Sequence, residues 1–90
     1  MILEDIRKNI DSIDTELVHL LEKRMDLVNQ VAAYKKESGK AILDTSREQA
    51  VLERIESLVK NPEYRTTIRD SFADIMAQSR TYQKEKLNVK

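Results

Sequence analysis

Arg24 occupies a position in the sequence where an apolar residue is expected. From Leu3 onward, apolar residues recur at alternating steps of three and four, and the interruption falls at position 24. This spacing is that of a heptad seam, the stripe on which one helix packs against another. A guanidinium on that stripe costs several kcal/mol to desolvate unless an anion meets it there. The pattern therefore predicts a helical bundle with something negative inside it.

Further polar residues fall on or beside helix faces that should be apolar. They are Arg7, Lys35, Asp44, Arg47, Glu48, Ser79 and Gln83. The first two flank the seam, the next three cluster where a second helix is predicted to begin, and the last two lie four residues apart on a third predicted helix. Cations, carboxylates, a hydroxyl and a carboxamide together suit a small polyanion that also bears hydroxyl groups.

Helical geometry limits which of these cations can meet one ligand. Lys35 lies eleven residues after Arg24, so both point from one face of a helix, about 16 Å apart along its axis. Arg7 lies about 42 Å from Lys35 along the same helix, too far to touch the same small molecule. An antiparallel partner helix would bring its own Arg7 toward them. A site shared between subunits follows if all three cations bind one ligand.

Each of these residues also has a purely structural explanation. Arg24 alone can set the register of a helix pair by meeting a Glu of the partner. The flanking cations are typical solvated side chains, and the two carboxylates are typical helix caps. Ser79 can bond to the carbonyl four residues earlier, and Gln83 can lie on the surface. Composition and periodicity alone predict a helical dimer with a buried polar centre, and they name no reaction.

The elements that must position these residues begin with one long helix. Leu3 to Glu37 is predicted as that helix, ended by Ser38-Gly39 as a glycine stop. Its apolar seam comprises Leu3, Ile6, Ile10, Ile13, Leu17, Leu20, Leu27, Val31 and Tyr34. The helix would be roughly 50 Å long, against a radius of gyration near 12 Å for a compact domain of this size. Two such helices packed together in a dimer would bury the seam.

Two shorter helices follow. A capping box of Thr45 and Glu48, or Asp44 as the cap itself, would begin the second helix, which is predicted to stop near Asn61. Pro62 suits the first turn of the third helix. The connector from Ser38 to Leu43 is a candidate lid over the site, and the polar tail from Lys84 to Lys90 is expected to fray. Residues 1–90 are predicted to be a single domain.

Composition narrows the chemistry that this chain can perform. It is 36% charged and 40% hydrophobic with one Gly and one Pro, which is typical of an almost wholly helical protein. Sixteen basic residues balance sixteen acidic ones, so we expect no nucleic-acid partner, and the charged N-terminus predicts neither a signal peptide nor a membrane span. The lack of cysteine suits a cytoplasmic protein. Because the chain has a single histidine and no glycine-rich loop, we expect no metal and no cofactor. An enzyme of this composition would have to work by positioning its substrate and by fixed charge.

Taken together, these residues resemble those of the all-helical (AroQ-type) chorismate mutases, which are small intertwined dimers. The resemblance covers nearly the whole chain. It is carried by Ile6-Arg7-x-x-Ile10-Asp11-x-Ile13-Asp14-x-x-Leu17, Leu20-Leu21-x-x-Arg24, Val31-x-x-x-Lys35, Asp44-x-x-Arg47-Glu48 and Ser79-x-x-x-Gln83. Eight ligand-binding positions in register, with the intervening spacings kept, make it specific. It implies an all-α fold with one long N-terminal helix, a short and a medium one, in an intertwined homodimer.

The resemblance further implies the Claisen rearrangement of chorismate to prephenate in phenylalanine and tyrosine biosynthesis. It gives the substrate carboxylates to Arg24 and to the partner subunit's Arg7, with Arg47 supporting them. Ser79 would bond near the ring carboxylate, and Glu48 with the Asp44 region would hold the ring hydroxyl. Lys35 and Gln83 would donate to the ether oxygen, where negative charge grows.

Three alternatives remain at this point. An isochorismate-pyruvate lyase shares the fold and the cations, but it resembles this chain poorly at Asp44-x-x-Arg47-Glu48. A non-catalytic helical dimer would use Arg24 only to set register. A mutase that also docks onto another enzyme of the pathway would have a regulatory partner as well.

Overall fold

A computed structural model of the chain describes residues 2–88. Within that range the chain forms three α-helices and no strand: α1 over Leu3–Ser38, α2 over Thr45–Leu58 and α3 over Arg65–Asn88. A short 3₁₀ turn, Pro62–Tyr64, joins α2 to α3. The prediction of an all-α chain with one long, one short and one medium helix is confirmed.

Helix α1 sets the longest dimension of the molecule. Its 36 residues would span about 54 Å, and the principal extents are 53 × 27 × 15 Å. It ends at Gly39, whose φ of 72° lies in the left-handed region and whose N–H donates to the Lys35 carbonyl at 2.9 Å. The predicted glycine stop is confirmed, with the helix one residue longer than expected.

Helix α2 begins at a capping residue that leaves Glu48 free. The Asp44 carboxylate accepts a hydrogen bond from the Arg47 N–H at 3.0 Å, so Asp44 is the N-cap. Thr45 is the first helical residue, and the predicted Thr45–Glu48 capping box is therefore wrong. Because its side chain is not needed to cap the helix, Glu48 is available to another partner.

The connection from α2 to α3 differs from the prediction at both ends. Helix α2 already stops at Leu58, and Asn61 is extended, as sterics require of a residue before proline. Pro62 begins the 3₁₀ turn, in which the Asn61 side chain accepts from the Glu63 N–H at 3.0 Å, and α3 starts only at Arg65.

At the C-terminal end of α3, residues 84–88 are helical where a frayed tail was expected, and positions 89 and 90 lie outside the described residues.

The helices pack around a small core at one end of α1. Ion pairs of Glu56 with Arg69 and of Glu48 with Arg80 join α2 to α3, which run antiparallel. Helix α3 also lies against the C-terminal half of α1, and the buried apolar residues are Ala32, Ile55 and Met76. None of the helices within residues 2–88 is long and apolar enough to cross a membrane.

The N-terminal half of α1 extends away from this core. Every residue from 3 to 23 is exposed, and the apolar seam keeps from 38% (Ile6) to 60% (Leu27) of its surface accessible. The radius of gyration of 16.1 Å exceeds the roughly 12 Å of a compact chain of this length because of this extension. The single chain thus leaves its most regular apolar stripe in water.

Candidate functional site

The predicted polar residues meet in one cleft of about 290 Å³ between the three helices. Seven of the eight predicted ligand-binding residues line it: Arg24, Lys35, Asp44, Arg47, Glu48, Ser79 and Gln83. The eighth, Arg7, lies on the exposed N-terminal half of α1 and does not reach this cleft within its own protomer. The walls are completed with apolar surface by Leu27, Val28, Val31, Ile42, Val51 and Met76.

Arg24 enters the cleft from α1 and is held by α3. Its Nη1 donates to the Ser79 hydroxyl at 2.9 Å, and that hydroxyl donates its own proton to the Ile75 carbonyl at 2.9 Å. The bond from Ser79 to the carbonyl four residues earlier was one of the structural explanations considered for this serine. Ser79 is buried, with 5% of its surface accessible, so it fixes the guanidinium while the remaining Arg24 N–H groups stay available.

Lys35 lies one helical turn before the end of α1 and contacts the connector to α2. Its Nζ donates to the Ile42 carbonyl at 2.6 Å. An ammonium carries three N–H donors, so two remain for a ligand in the cleft. The bond ties the connector to α1 beside the cleft, where Ile42 contributes to the wall. Opening and closing of this connector as a lid stays a prediction, which amide exchange with and without ligand would test.

Arg80 is the cleft residue that the sequence reasoning missed. Its Nη1 pairs with the Glu48 Oε1, and both side chains keep about a quarter of their surface accessible, 28% and 23%. A signal for it was present in the sequence. Arg80 lies four residues after Met76 and three before Gln83, so all three share the face of α3 that turns inward.

Gln83 contributes an unusual buried polar atom. The residue keeps 6% of its surface accessible, and its Oε1 has no hydrogen-bond partner among the described residues. A buried polar atom without a partner is costly, and a ligand group that bonds to it removes that cost. A carboxamide can present either its oxygen or its NH₂ group after a rotation of half a turn. The position is therefore ready to bond to a ligand in the cleft.

The charges of the cleft leave it positive. Four cations and two carboxylates line it, so its formal charge is 4 − 2 = +2. Within residues 2–88, Glu48 is paired with Arg80, whereas Arg24, Lys35 and Arg47 take part in no salt bridge. Such a cleft favours a small ligand with more than one negative charge. The described residues contain no group of three or more His, Cys, Asp or Glu side chains placed to hold a metal ion.

Comparison with known proteins identifies relatives of this chain. Residues 6–84 match the family model described as chorismate mutase type II. A "Chorismate mutase" of Methanocaldococcus jannaschii is 40% identical over 58 residues, which are 64% of this chain and 59% of that protein. The "T-protein" of Haemophilus influenzae is 45% identical over 51 residues, 57% of this chain and 14% of the relative.

A third relative aligns along almost the whole chain. The "Bifunctional chorismate mutase/prephenate dehydratase" of Buchnera aphidicola subsp. Schizaphis graminum is 36% identical over 87 residues, 96% of this chain and 23% of that protein. In all three cases the alignment spans less than two thirds of the relative's own length.

Proposed function

Because the chain belongs to the chorismate mutase type II family, we propose that it is an isomerase that converts chorismate to prephenate. The observation that carries the proposal is the convergence of Arg24, Lys35 and Gln83, from two helices and far apart in sequence, on one cationic cleft. Residues 1–90 act as one domain in this proposal, and we keep the cytoplasmic location expected from the sequence.

The functional groups of chorismate match the charged and hydrogen-bonding side chains of this cleft. It carries two carboxylates, a ring hydroxyl and an enolpyruvyl ether. In the proposed complex Arg24 and the partner subunit's Arg7 bind the carboxylates, with Arg47 adding to the positive potential. Glu48 and the Asp44 region hold the ring hydroxyl. Ser79 lies on the side of the site that receives the ring carboxylate, where it holds Arg24 in place.

The reaction itself is an intramolecular rearrangement in which one carbon–oxygen bond breaks while one carbon–carbon bond forms. It transfers no proton and forms no covalent intermediate, so it needs neither a nucleophile nor a general base. The flexible enolpyruvyl arm must be held over the ring in a chair-like shape, which is the kind of positioning that a walled cleft with several fixed donors achieves.

Stabilisation of the transition state falls to Lys35 and Gln83. Negative charge grows on the ether oxygen as its bond to the ring carbon breaks. Donors that are already oriented toward this oxygen stabilise the transition state more than the ground state. Lys35 is oriented before any ligand arrives, because the Ile42 carbonyl fixes its ammonium. Gln83 is held among buried groups on α3 and has hydrogen-bonding capacity to spare.

The proposed active unit is a homodimer. The apolar seam of α1 is exposed along its whole length in one protomer, and burying it against a second copy is favourable by the hydrophobic effect. If the two α1 helices run antiparallel, the partner subunit's Arg7 approaches the cleft that holds Arg24. Each cleft is then completed by the other subunit.

The first experiment follows the absorbance of chorismate with the purified protein and identifies the product by chromatography. Formation of prephenate is the expected result. Salicylate and pyruvate from isochorismate, without turnover of chorismate, would assign the chain to the lyase activity instead. Inertness toward both substrates would refute the proposed activity and leave a helical dimer in which Arg24 serves structure alone.

A further inference from the structure

Glu48 forms an ion pair across the cleft with Arg80, a cation that has no role in the proposed reaction. The carboxylate projects from the first turns of α2, and its partner Arg80 projects from α3, 32 residues later. Both line the cleft, and both are partly buried, with 23% and 28% of their side chains accessible. An ion pair at such a place holds two flexible side chains in one arrangement before a ligand binds.

The pair also determines which cations remain free. Glu48 follows Arg47 in the sequence and shares the cleft with Arg24 and Lys35. Without Arg80, the Glu48 carboxylate would have three nearby cations to pair with, and each such pair would compete with an anionic ligand. Glu48 instead forms its ion pair with Arg80, and Arg24, Lys35 and Arg47 have no carboxylate partner among residues 2–88.

The cleft is thereby divided into two electrostatically different regions. One, formed by Arg24, Lys35 and Arg47 together with Asp44, carries a net formal charge of +2 and suits carboxylates. The other, formed by Glu48 and Arg80, has no net charge, and the remaining Glu48 oxygen is a hydrogen-bond acceptor. An ionised carboxylate accepts and does not donate, so this region suits a hydroxyl group.

We propose that Arg80 is a positioning residue that fixes the Glu48 carboxylate as the acceptor for the ring hydroxyl and keeps it from quenching the carboxylate-binding cations. The inference rests on the proposed turnover of chorismate. In it Arg80 acts through Glu48 and makes no contact with the ether oxygen. The hydroxyl contact is present in the ground state and in the transition state alike, so Arg80 contributes to binding and to choice of substrate rather than to kcat.

The chain contains a matched control for this proposal. Arg69 pairs with Glu56 at 2.6 Å and joins the same two helices, α3 and α2, but neither residue lines the cleft. If the Arg80 pair serves only to hold the helices together, R80M and R69M should behave alike. If it serves the ligand, only R80M should change the kinetics with chorismate.

The experiment compares wild type, R80M, R80K and R69M in chorismate turnover, together with Glu48→Gln and the double variant R80M/E48Q. We expect R80M to raise KM by about 10- to 100-fold, the loss expected for a hydrogen bond to a charged group, with kcat changed less than about threefold. R80K should recover part of the loss, since it restores the charge but not the guanidinium geometry. R69M should keep the wild-type KM. R80M/E48Q should be little worse than Glu48→Gln alone, because the two residues act as a unit.

Other outcomes separate the inference from the function it rests on. A wild-type KM in R80M, or equal changes in R80M and R69M, would overturn the inference while the turnover of chorismate stands. Losses in R80M and Glu48→Gln that multiply in the double variant would mean that Arg80 meets the ligand by itself, which also overturns it. A wild-type protein that leaves chorismate unchanged would refute the proposed function and the inference together.

Discussion

The Arg24 guanidinium donates to the Ser79 hydroxyl at 2.9 Å, across 55 residues of sequence and between two different helices. This bond explains how an arginine is accommodated on the apolar seam of α1. Ser79 accepts from Arg24 and donates its single proton to the Ile75 carbonyl at 2.9 Å, so the hydroxyl has no proton left to donate to a ligand. Arg24 is fixed without a carboxylate partner in the described part of the chain, and its charge stays available to an anion.

Replacing Ser79 with alanine should loosen Arg24 while sparing the fold. Alanine is a good helix former, and the Ile75 carbonyl retains its place in the helix, so we expect little change in melting temperature. We expect kcat/KM for chorismate to fall by about tenfold, the lower end of the range for a hydrogen bond to a charged group. Steady-state kinetics and a thermal melt of Ser79→Ala measure the two quantities.

Ser71 provides the control for this substitution. Its hydroxyl donates to the Thr67 carbonyl at 2.9 Å in the same helix, but the residue is exposed and lies outside the cleft. Ser71→Ala should therefore keep the wild-type kcat/KM. An unchanged kcat/KM in Ser79→Ala as well would mean that Arg24 is positioned without this serine.

Removing the Lys35 ammonium should affect kcat most strongly. A preorganised donor to the atom on which charge develops contributes about 100- to 1000-fold in rate, and we expect Lys35→Ala to lose at least that much. The neighbouring Lys36 is exposed and lies outside the cleft, so Lys36→Ala should turn over chorismate like the wild type. Single-turnover rates together with thermal melts distinguish a loss of chemistry from a loss of folding. Near-wild-type turnover by Lys35→Ala would remove this residue from the mechanism.

The carboxamide at position 83 predicts a flat pH dependence. Glutamine donates a hydrogen bond at any pH, whereas a carboxyl group donates only while it is protonated. We expect wild-type kcat to stay level from about pH 5 to 8, and kcat of Gln83→Glu to fall as the pH rises and its carboxyl group ionises. In the ionised form the variant would also place negative charge beside the oxygen that becomes negative. A sharp drop of wild-type kcat between about pH 5 and 7 would contradict the assigned role.

The parts of this structure that the sequence predicts best are those decided by local chemistry. The heptad spacing predicts α1, Gly39 predicts where it ends, and Asp44 predicts the start of α2, because each depends only on nearby residues. The identity of the cleft residues came from a family resemblance, since periodicity alone left a structural explanation open for each of them. Pro62 was predicted to lie in the first turn of the third helix, but it begins a 3₁₀ turn, because the same proline geometry suits the start of either.

The pairing of Glu48 with Arg80 shows what local chemistry cannot supply. The sequence shows both residues but not their pairing, and it offered Glu48 a local partner, Thr45, in a capping box. Which partner wins depends on the rotation of α3 relative to α2, and that rotation is set by the packing of all three helices. An ion pair between side chains 32 residues apart is therefore a property of the tertiary structure.

Sharing of the active site between subunits can be tested with two inactive variants. Arg7→Ala and Lys35→Ala should each abolish most activity, the first by removing a cation from the partner's cleft and the second by removing one from its own. In a mixed dimer one cleft lacks both cations, while the other takes Lys35 from the Arg7→Ala chain and Arg7 from the Lys35→Ala chain and is intact. Random exchange of equal amounts makes half of the dimers mixed, so about a quarter of the wild-type activity should return.

The same experiment has two internal controls. Ile13 lies on the seam and is 58% exposed in one protomer, so Ile13→Asp should place a charge in the dimer interface and yield a species of one chain, 10.5 kDa, in sedimentation. Adding this substitution to both inactive variants should prevent the recovery of activity on mixing. Mixing Lys35→Ala with Gln83→Ala supplies the second control, because both residues belong to the cleft of their own chain and no mixed dimer contains an intact site. Recovery in that mixture, or none in the first, would refute a cleft completed by the partner's Arg7.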